Sequence, residues 1–330
     1  MYRFYEITYR FRCLFLLILY FEKEILKISV YSGSFDREIG FFDRINYFKA
    51  LEEKGFKSLW IANANSYDAL TLVQYLSTQI SSMELGTAVI PVFSKHPVEL
   101  AQQILTTGLI SNNKLKIGLG VSHKYRVENE LGLKYVNPVL YMKEFVIILK
   151  DILNKGYSKF NGNIFNVDVS IDAEICNDLD IYLAALGPKM LGIAKKYTEG
   201  TITWMTGYKT INSNIFPVLN STSDNRRSIV SAIPICITDD LERVTYEAKS
   251  IFKFYNNYPN YKKMIIQEGV KDPGDLAIVG DEDYAYNILQ EYANSGVTEI
   301  LAVVFAEDIN KRINLQSRTL DFLISINNKF

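Results

Sequence analysis

From Lys27 onward the chain alternates between two kinds of apolar pattern. Short runs, nearly continuous in aliphatic and small residues, recur at 27–34, 58–63, 83–90, 114–121, 180–186, 200–206, 228–238 and 299–305. Between them lie stretches with helical spacing, at 41–56, 68–80, 96–110, 138–156, from Pro188 onward, at 241–267 and at 282–296. The first kind reads as parallel strands buried on both faces, the second as the helices that cover them. The punctuation agrees. Gly55 and Gly156 stop two helices, Asp68 stands at an N-cap and Pro97 in a first turn. A hairpin around Asn161-Gly162 is predicted over 160–168.

Eight strands alternating with helices predict an α/β fold, a TIM (β/α)8 barrel, with a doubly wound open sheet as the competing arrangement. A barrel places chemistry in the loops that follow its strands. The domain is expected over 27–330, with 1–26 as an extension of open status. There, Arg10 and Arg12 precede the apolar run 13–21. That run falls short of the roughly 20 residues needed to span a bilayer. No small-residue cleavage site follows it. No membrane partner is therefore expected; a signal peptide or anchor is the alternative.

Composition narrows the chemistry. The 330 residues carry a formal net charge of -1, which argues against a nucleic-acid partner. Cys13, Cys176 and Cys236 are far apart and form no C-x-x-C pair, and there are two histidines, His96 and His123. No metal site is expected, and a reducing, cytoplasmic setting is the simplest.

The predicted strand ends are small, apolar or neutral: Ser32 and Gly33; Asn63 and Ala64; Val89 to Pro91; Gly120 to His123; Leu186 to Pro188; Thr203 to Thr206. They hold neither a glycosidase carboxylate pair nor a G-x-S-x-G elbow. Such a mouth suits a large flat cofactor that performs the chemistry itself. Gly187-Pro188 opens a helix whose free N–H groups could hold an anion, although the pair is also an ordinary turn. His123 is the candidate for proton exchange, against a plain loop histidine. His96 reads as a capping residue, and Trp204 as a pocket wall or a core aromatic.

The run "LGTAVIPVFSKHPVELAQQILTTGLISNNKLKIGLGVSH" resembles the bacterial-luciferase-like superfamily, and within it the branch that uses 8-hydroxy-5-deazaflavin, coenzyme F-420. "PVLYMKEFVIILKDIL", "FNGNIFNV", "LAALGPKMLGIAKKYTEGTITWMTG" and "PICITDD" continue the match in order. The resemblance implies a barrel with an insertion after strand four, often dimeric, so a homodimer and a small-molecule substrate are expected. It implies that Ala88, Val89 and Ile90 back the cofactor ring, where a non-proline cis peptide is common. Gly120, Val121 and Ser122 would border the ring, and Gly187 with its helix would hold the cofactor phosphate. Gly33, Asn63, Leu186, Pro188, Met190 and Thr203 complete the implied cofactor-binding set. Asn63-Ala64 stands where some deazaflavin enzymes have an acidic residue and a histidine. His123 stands where the sugar-phosphate dehydrogenase branch has a glutamate, so that branch is not expected.

The function so implied is hydride transfer between coenzyme F-420 and an unidentified small organic substrate, with His123 handling the proton. Two alternatives stay open. One is an FMN-dependent monooxygenase that uses molecular oxygen. The other is a non-catalytic flavin-binding barrel whose strand-end pocket is blocked, by Trp204 and Phe93.

Overall fold

The computed structural model describes residues 26–33, 39–64, 66–111, 115–176, 179–221, 226–307, 310, 316–327 and 329. The apolar run 13–21 and Cys13 lie outside the described residues. In chain order the strands are β1 (Lys27–Ser32), β2 (Ser58–Ile61), β3 (Glu84–Pro91), β4 (Leu115–Gly120), β5 (Tyr157–Asn161), β6 (Asn166–Ser170), β7 (Leu179–Ala184), β8 (Gly200–Trp204), β9 (Ser228–Ile237), β10 (Ile278–Gly280) and β11 (Glu299–Val304). Strands β1, β2, β3, β4, β7, β8, β9 and β11 pair in parallel in that order, and β11 returns to β1. This is a closed eight-stranded TIM barrel, and its eight strands are the eight that the pattern predicts. The short β10 adds to β9 outside the ring.

Alternation along the strands sorts the side chains. Ile28, Val30, Leu85, Ile117, Leu119, Ile181 and Leu183 join the core between sheet and helices. Trp60, Tyr182, Ile202, Val230, Leu301 and Val303 form a separate cluster, contributed by the opposite faces of their strands, which fills the interior. Gly86 makes room there: a Cβ on it would lie 2.5 Å from the Trp60 ring.

The N-terminal end of the interior is polar. The Glu299 carboxylate accepts hydrogen bonds from Ser29 (2.5 Å), Ser58 (3.2 Å), Trp60 Nε1 (2.8 Å) and Lys116 (2.8 Å). Lys116 also pairs with Glu84 at 2.8 Å, and Glu84 pairs with Lys27. Burial opposes the charge on Lys116, but Glu299 and Glu84 outweigh it and hold the ammonium above its ordinary value. Burial likewise opposes the charge on Glu299, and Lys116 and Lys27 hold it ionised.

The insertion after β4 comprises a π-helical turn at Arg126–Glu130, the helix Pro138–Lys155 and the β5–β6 hairpin. Glu144, on that helix, accepts the backbone N–H groups of Asn163, Ile164 and Phe165 in the hairpin turn, at 2.8–3.0 Å. A Cβ on Gly162 would come within 2.4 Å of the Glu144 carboxylate, so glycine is required there by close approach.

Other helices match their predicted positions. The Asp68 carboxylate caps Ala69–Ser77 through the Thr71 N–H, and Pro97 opens Pro97–Ile110. The stretch 241–267 differs, because it is not one helix. It divides into Leu241–Phe252, a 3-10 segment Lys253–Asn257 and Pro259–Glu268. Pro259 lacks an N–H and disfavours helical geometry at the residue before it, and Tyr258 is extended, at φ -104° and ψ 114°. The pattern also missed the helix Arg318–Ile326, which Ser317 caps. No described helix is long and apolar enough to cross a membrane.

Replacing Lys116 by Met should cost about 3–5 kcal/mol of unfolding free energy, because it strands the buried Glu299 carboxylate. Denaturant titration of the two proteins would measure the loss.

Candidate active site

The C-terminal ends of the strands form the opposite face. Strand β3 breaks its alternation there: its register against β4 shifts between Thr87 and Ile90, and the Ala88–Val89 peptide is cis. Ala88 and Val89 both pack with the interior cluster, while Ile90 turns to the helix-facing core. Strand β4 accepts this because it presents Gly118 and Gly120 to the interior. A Cβ on Gly118 would sit 3.0 Å from Val89 Cγ1, and one on Gly120 would sit 2.5 Å from Val89 Cγ2 and 3.5 Å from Ala184 Cβ. The tips of β3, β4 and β7 thus meet in a low, apolar surface made of Ala88, Val89, Gly120 and Ala184. The three strands are consecutive in the ring, with β4 between β3 and β7.

The rim of this mouth carries unusual backbone. Four non-glycine residues among those described have positive φ: Ser122 (60°), Asn137 (45°), Met205 (49°) and Ala306 (56°). Three of them, Ser122, Met205 and Ala306, lie within two residues of the ends of β4, β8 and β11. Such conformations are uncommon for residues with a Cβ and concentrate at functional sites.

Beyond β7, Gly187 is the N-cap of Pro188–Tyr197 and makes no side-chain capping bond. Gly187, Pro188 and Lys189 are exposed, and a Cβ on Gly187 would meet nothing within 4 Å. The free N–H groups of the first turn therefore face open space beside the mouth. By contrast, Asp68 and Asp281 cap their own helices.

The other expected residues are placed as follows. Ser122 and His123 lie half-buried just past β4. Val121, Leu186 and Met190 pack, partly buried, against the main core. Gly33 is wedged against Ala62, 2.9 Å from where its own Cβ would stand. Asn63 accepts the Ala69 N–H at 2.8 Å and so fixes the start of a helix. Thr203 does not join the mouth: its hydroxyl is buried and bonded to Ser231 at 3.1 Å, on the face opposite to Ile202 and Trp204. His96 caps its helix through Nδ1, 3.3 Å from the Val98 N–H. Phe93 is buried and stacks on Tyr141 (4.2 Å) within the main core.

An aromatic group that sequence reasoning missed crosses the rim. Tyr31, at the end of β1, lies parallel to Trp204, at the end of β8, with centroids 6.4 Å apart. Trp204 meets Tyr255 edge-on at 5.8 Å, Tyr255 meets Tyr261 at 5.0 Å, and Tyr261 reaches His123 at 5.9 Å. His123 stacks on Tyr258, centroids 4.0 Å apart and planes 22° from parallel. The signal was the spacing in "YNNYPNY", one tyrosine every three residues. Burial first, and neighbouring phenols after it, push the phenol pKa values of Tyr255 and Tyr261 well up. Burial first, and Arg126 second, pull His123 below the ordinary histidine value. Among the described residues no group of three or more His, Cys, Asp or Glu side chains could hold a metal ion.

A profile of the luciferase-like monooxygenase family matches residues 34–299. The chain belongs to that family. Its members are oxidoreductases or monooxygenases that depend on coenzyme F-420 or FMN, and this luciferase-like protein is an enzyme of that class. It is 24% identical over 271 residues to the 5,10-methylenetetrahydromethanopterin reductase of Archaeoglobus fulgidus, covering 79% of this chain and 77% of the relative. Its fold superposes on an F-420-dependent secondary alcohol dehydrogenase solved with an F-420-acetone adduct, with a TM-score of 0.75 and 14% identity, over 90% of this chain and 99% of the other. It also superposes on the FMN complex of a type II Baeyer-Villiger monooxygenase of Pseudomonas putida, with a TM-score of 0.70 and 12% identity, over 92% and 97% of the two chains.

The direction of the His123 shift has a consequence for this luciferase-like barrel. Its folded-state pKa lies below the unfolded value of about 6.5, so the unfolded chain binds the proton more readily between the two. Stability contributed by neutral His123 is full above about pH 6.5 and is lost as pH falls through the folded value. Denaturant midpoints measured from about pH 7 down to about pH 5 should fall less steeply for His123→Gln than for the parent.

Proposed function

We propose that this enzyme binds the deazaflavin coenzyme F-420 across its strand ends and exchanges a hydride with a small organic substrate. The observation that carries the reading is the apolar surface of Ala88, Val89, Gly120 and Ala184 beside an uncapped helix start. A planar ring system needs a flat, uncharged support within contact distance, and those four residues offer one. A phosphorylated tail needs N–H donors and a favourable dipole, and Gly187 with the first turn of Pro188–Tyr197 offers both. The residues therefore fit a flavin-like group with an anionic tail.

When bound, a deazaflavin supplies or accepts the hydride; the chain does the rest. Ala88, Val89 and Gly120 hold the ring plane and exclude water from one side. Tyr31 and Trp204 wall the mouth. His123, held neutral by burial and Arg126, accepts at an imidazole nitrogen the proton that a substrate hydroxyl releases as it becomes a carbonyl. In the reverse direction it returns that proton. The likeness to an F-420-dependent alcohol dehydrogenase supports coenzyme F-420; the FMN-bound neighbour of the same fold keeps FMN as the second reading.

Separate fluorescence titrations with oxidised coenzyme F-420 and with FMN should show saturable binding of the former at lower concentration. Tighter FMN binding, with oxygen uptake on reduction, would instead assign a monooxygenase. Absence of binding by either would leave a non-catalytic barrel. With the bound cofactor, His123→Ala should lower turnover by about 10²- to 10⁴-fold and leave cofactor affinity nearly unchanged.

A further inference from the structure

The imidazole of His123 is held from one side by a segment far away in the chain. The rings of His123 and Tyr258 stack at 4.0 Å. Tyr258 is itself braced by Phe254 (6.3 Å, edge-on) and Tyr255 (6.2 Å), and its N–H donates to the Tyr255 carbonyl at 3.1 Å. Pro259 follows and restricts its backbone. The segment is anchored at its far end. Buried Glu268 accepts the N–H groups of Lys209 (3.2 Å) and Thr210 (2.8 Å) and the Thr210 hydroxyl (2.7 Å).

We propose that Tyr258 is a positioning residue for His123: its ring fixes the imidazole plane and dries one face of it, so that the histidine meets the mouth in one orientation. The proposal rests on the reading of the site given above. Two forces act on the imidazolium at such a stack. A tyrosine face attracts a cation by about 0.5–1 kcal/mol at an exposed site, which would favour the charged form. Removal from water disfavours it, and so does the Arg126 guanidinium three residues on, which pairs with Glu130 at 3.6 Å. From the facing segment the rings of Tyr258 (4.0 Å) and Tyr261 (5.9 Å) meet the imidazole, and burial holds the Tyr261 phenol neutral. Burial first and Arg126 second lower the histidine pKa, the direction in which a ring that dries the imidazole also pushes it.

The chain has two histidines, so a His96→Gln background leaves one imidazole to observe by proton NMR. In the cofactor-free protein the His123 resonance should titrate below about 6.5. Tyr258→Ala should move the midpoint up toward that value, and Tyr258→Phe, which keeps the stack, should restore it. An unchanged midpoint in Tyr258→Ala, or a further fall that reveals net attraction for the cation, overturns the proposal. So does a rise shared by Tyr258→Phe, which would assign the effect to the hydroxyl. Added oxidised coenzyme F-420 or FMN should shift the same resonance. If neither moves it while the Tyr258 series behaves as stated, the reading of the site fails and the stack stands as packing alone.

Discussion

Glu299 ties the barrel shut. One buried carboxylate on the last strand accepts hydrogen bonds from Ser29 on β1, Ser58 and Trp60 on β2, and Lys116 on β4. A carboxylate so far from water is tolerable only because Lys116 answers it and Glu84 answers Lys116 in turn. The same group orients Trp60, whose ring fills the middle of the barrel beneath Tyr182. Charges close one end of the barrel, and large rings fill its middle.

The open end is built on opposite terms. Charged side chains fill the base, whereas the described tips of β3, β4 and β7 bring only methyl groups and bare backbone. The register shift in β3 turns Val89 inward, and the glycines of β4 receive it. Either change alone would leave a gap or a collision. Positive-φ residues after three strands lie around this surface, so the loops are bent to serve the rim. A rigid base and a shaped mouth are what a cofactor enzyme needs, because the protein's share of the work is position and electrostatics.

The tyrosines of 255–261 add a second wall. They rest on Trp204 at one side and on His123 at the other, and they bring no charge. A histidine in such a setting stays neutral near physiological pH, ready to take a proton rather than to offer one.

Periodicity in the sequence determined the architecture. Eight apolar runs became the eight barrel strands, and Asp68, Pro97, Gly55 and Gly156 marked helix ends, because these signals act over a few neighbouring residues. The candidate site was legible only in outline. Val89, Gly120 and His123 were readable as strand-end residues and Ala88 came only with the family resemblance, yet nothing local told that Ile90 would face the helices or that Thr203 would turn to Ser231. Those outcomes depend on register between strands. Pairing Tyr258 with His123 and Lys116 with Glu299 spans more than a hundred residues of chain, and no local pattern encodes which distant side chains meet. Closure of the barrel decides that: it sets which strand ends become neighbours, and through them the shape and polarity of the mouth.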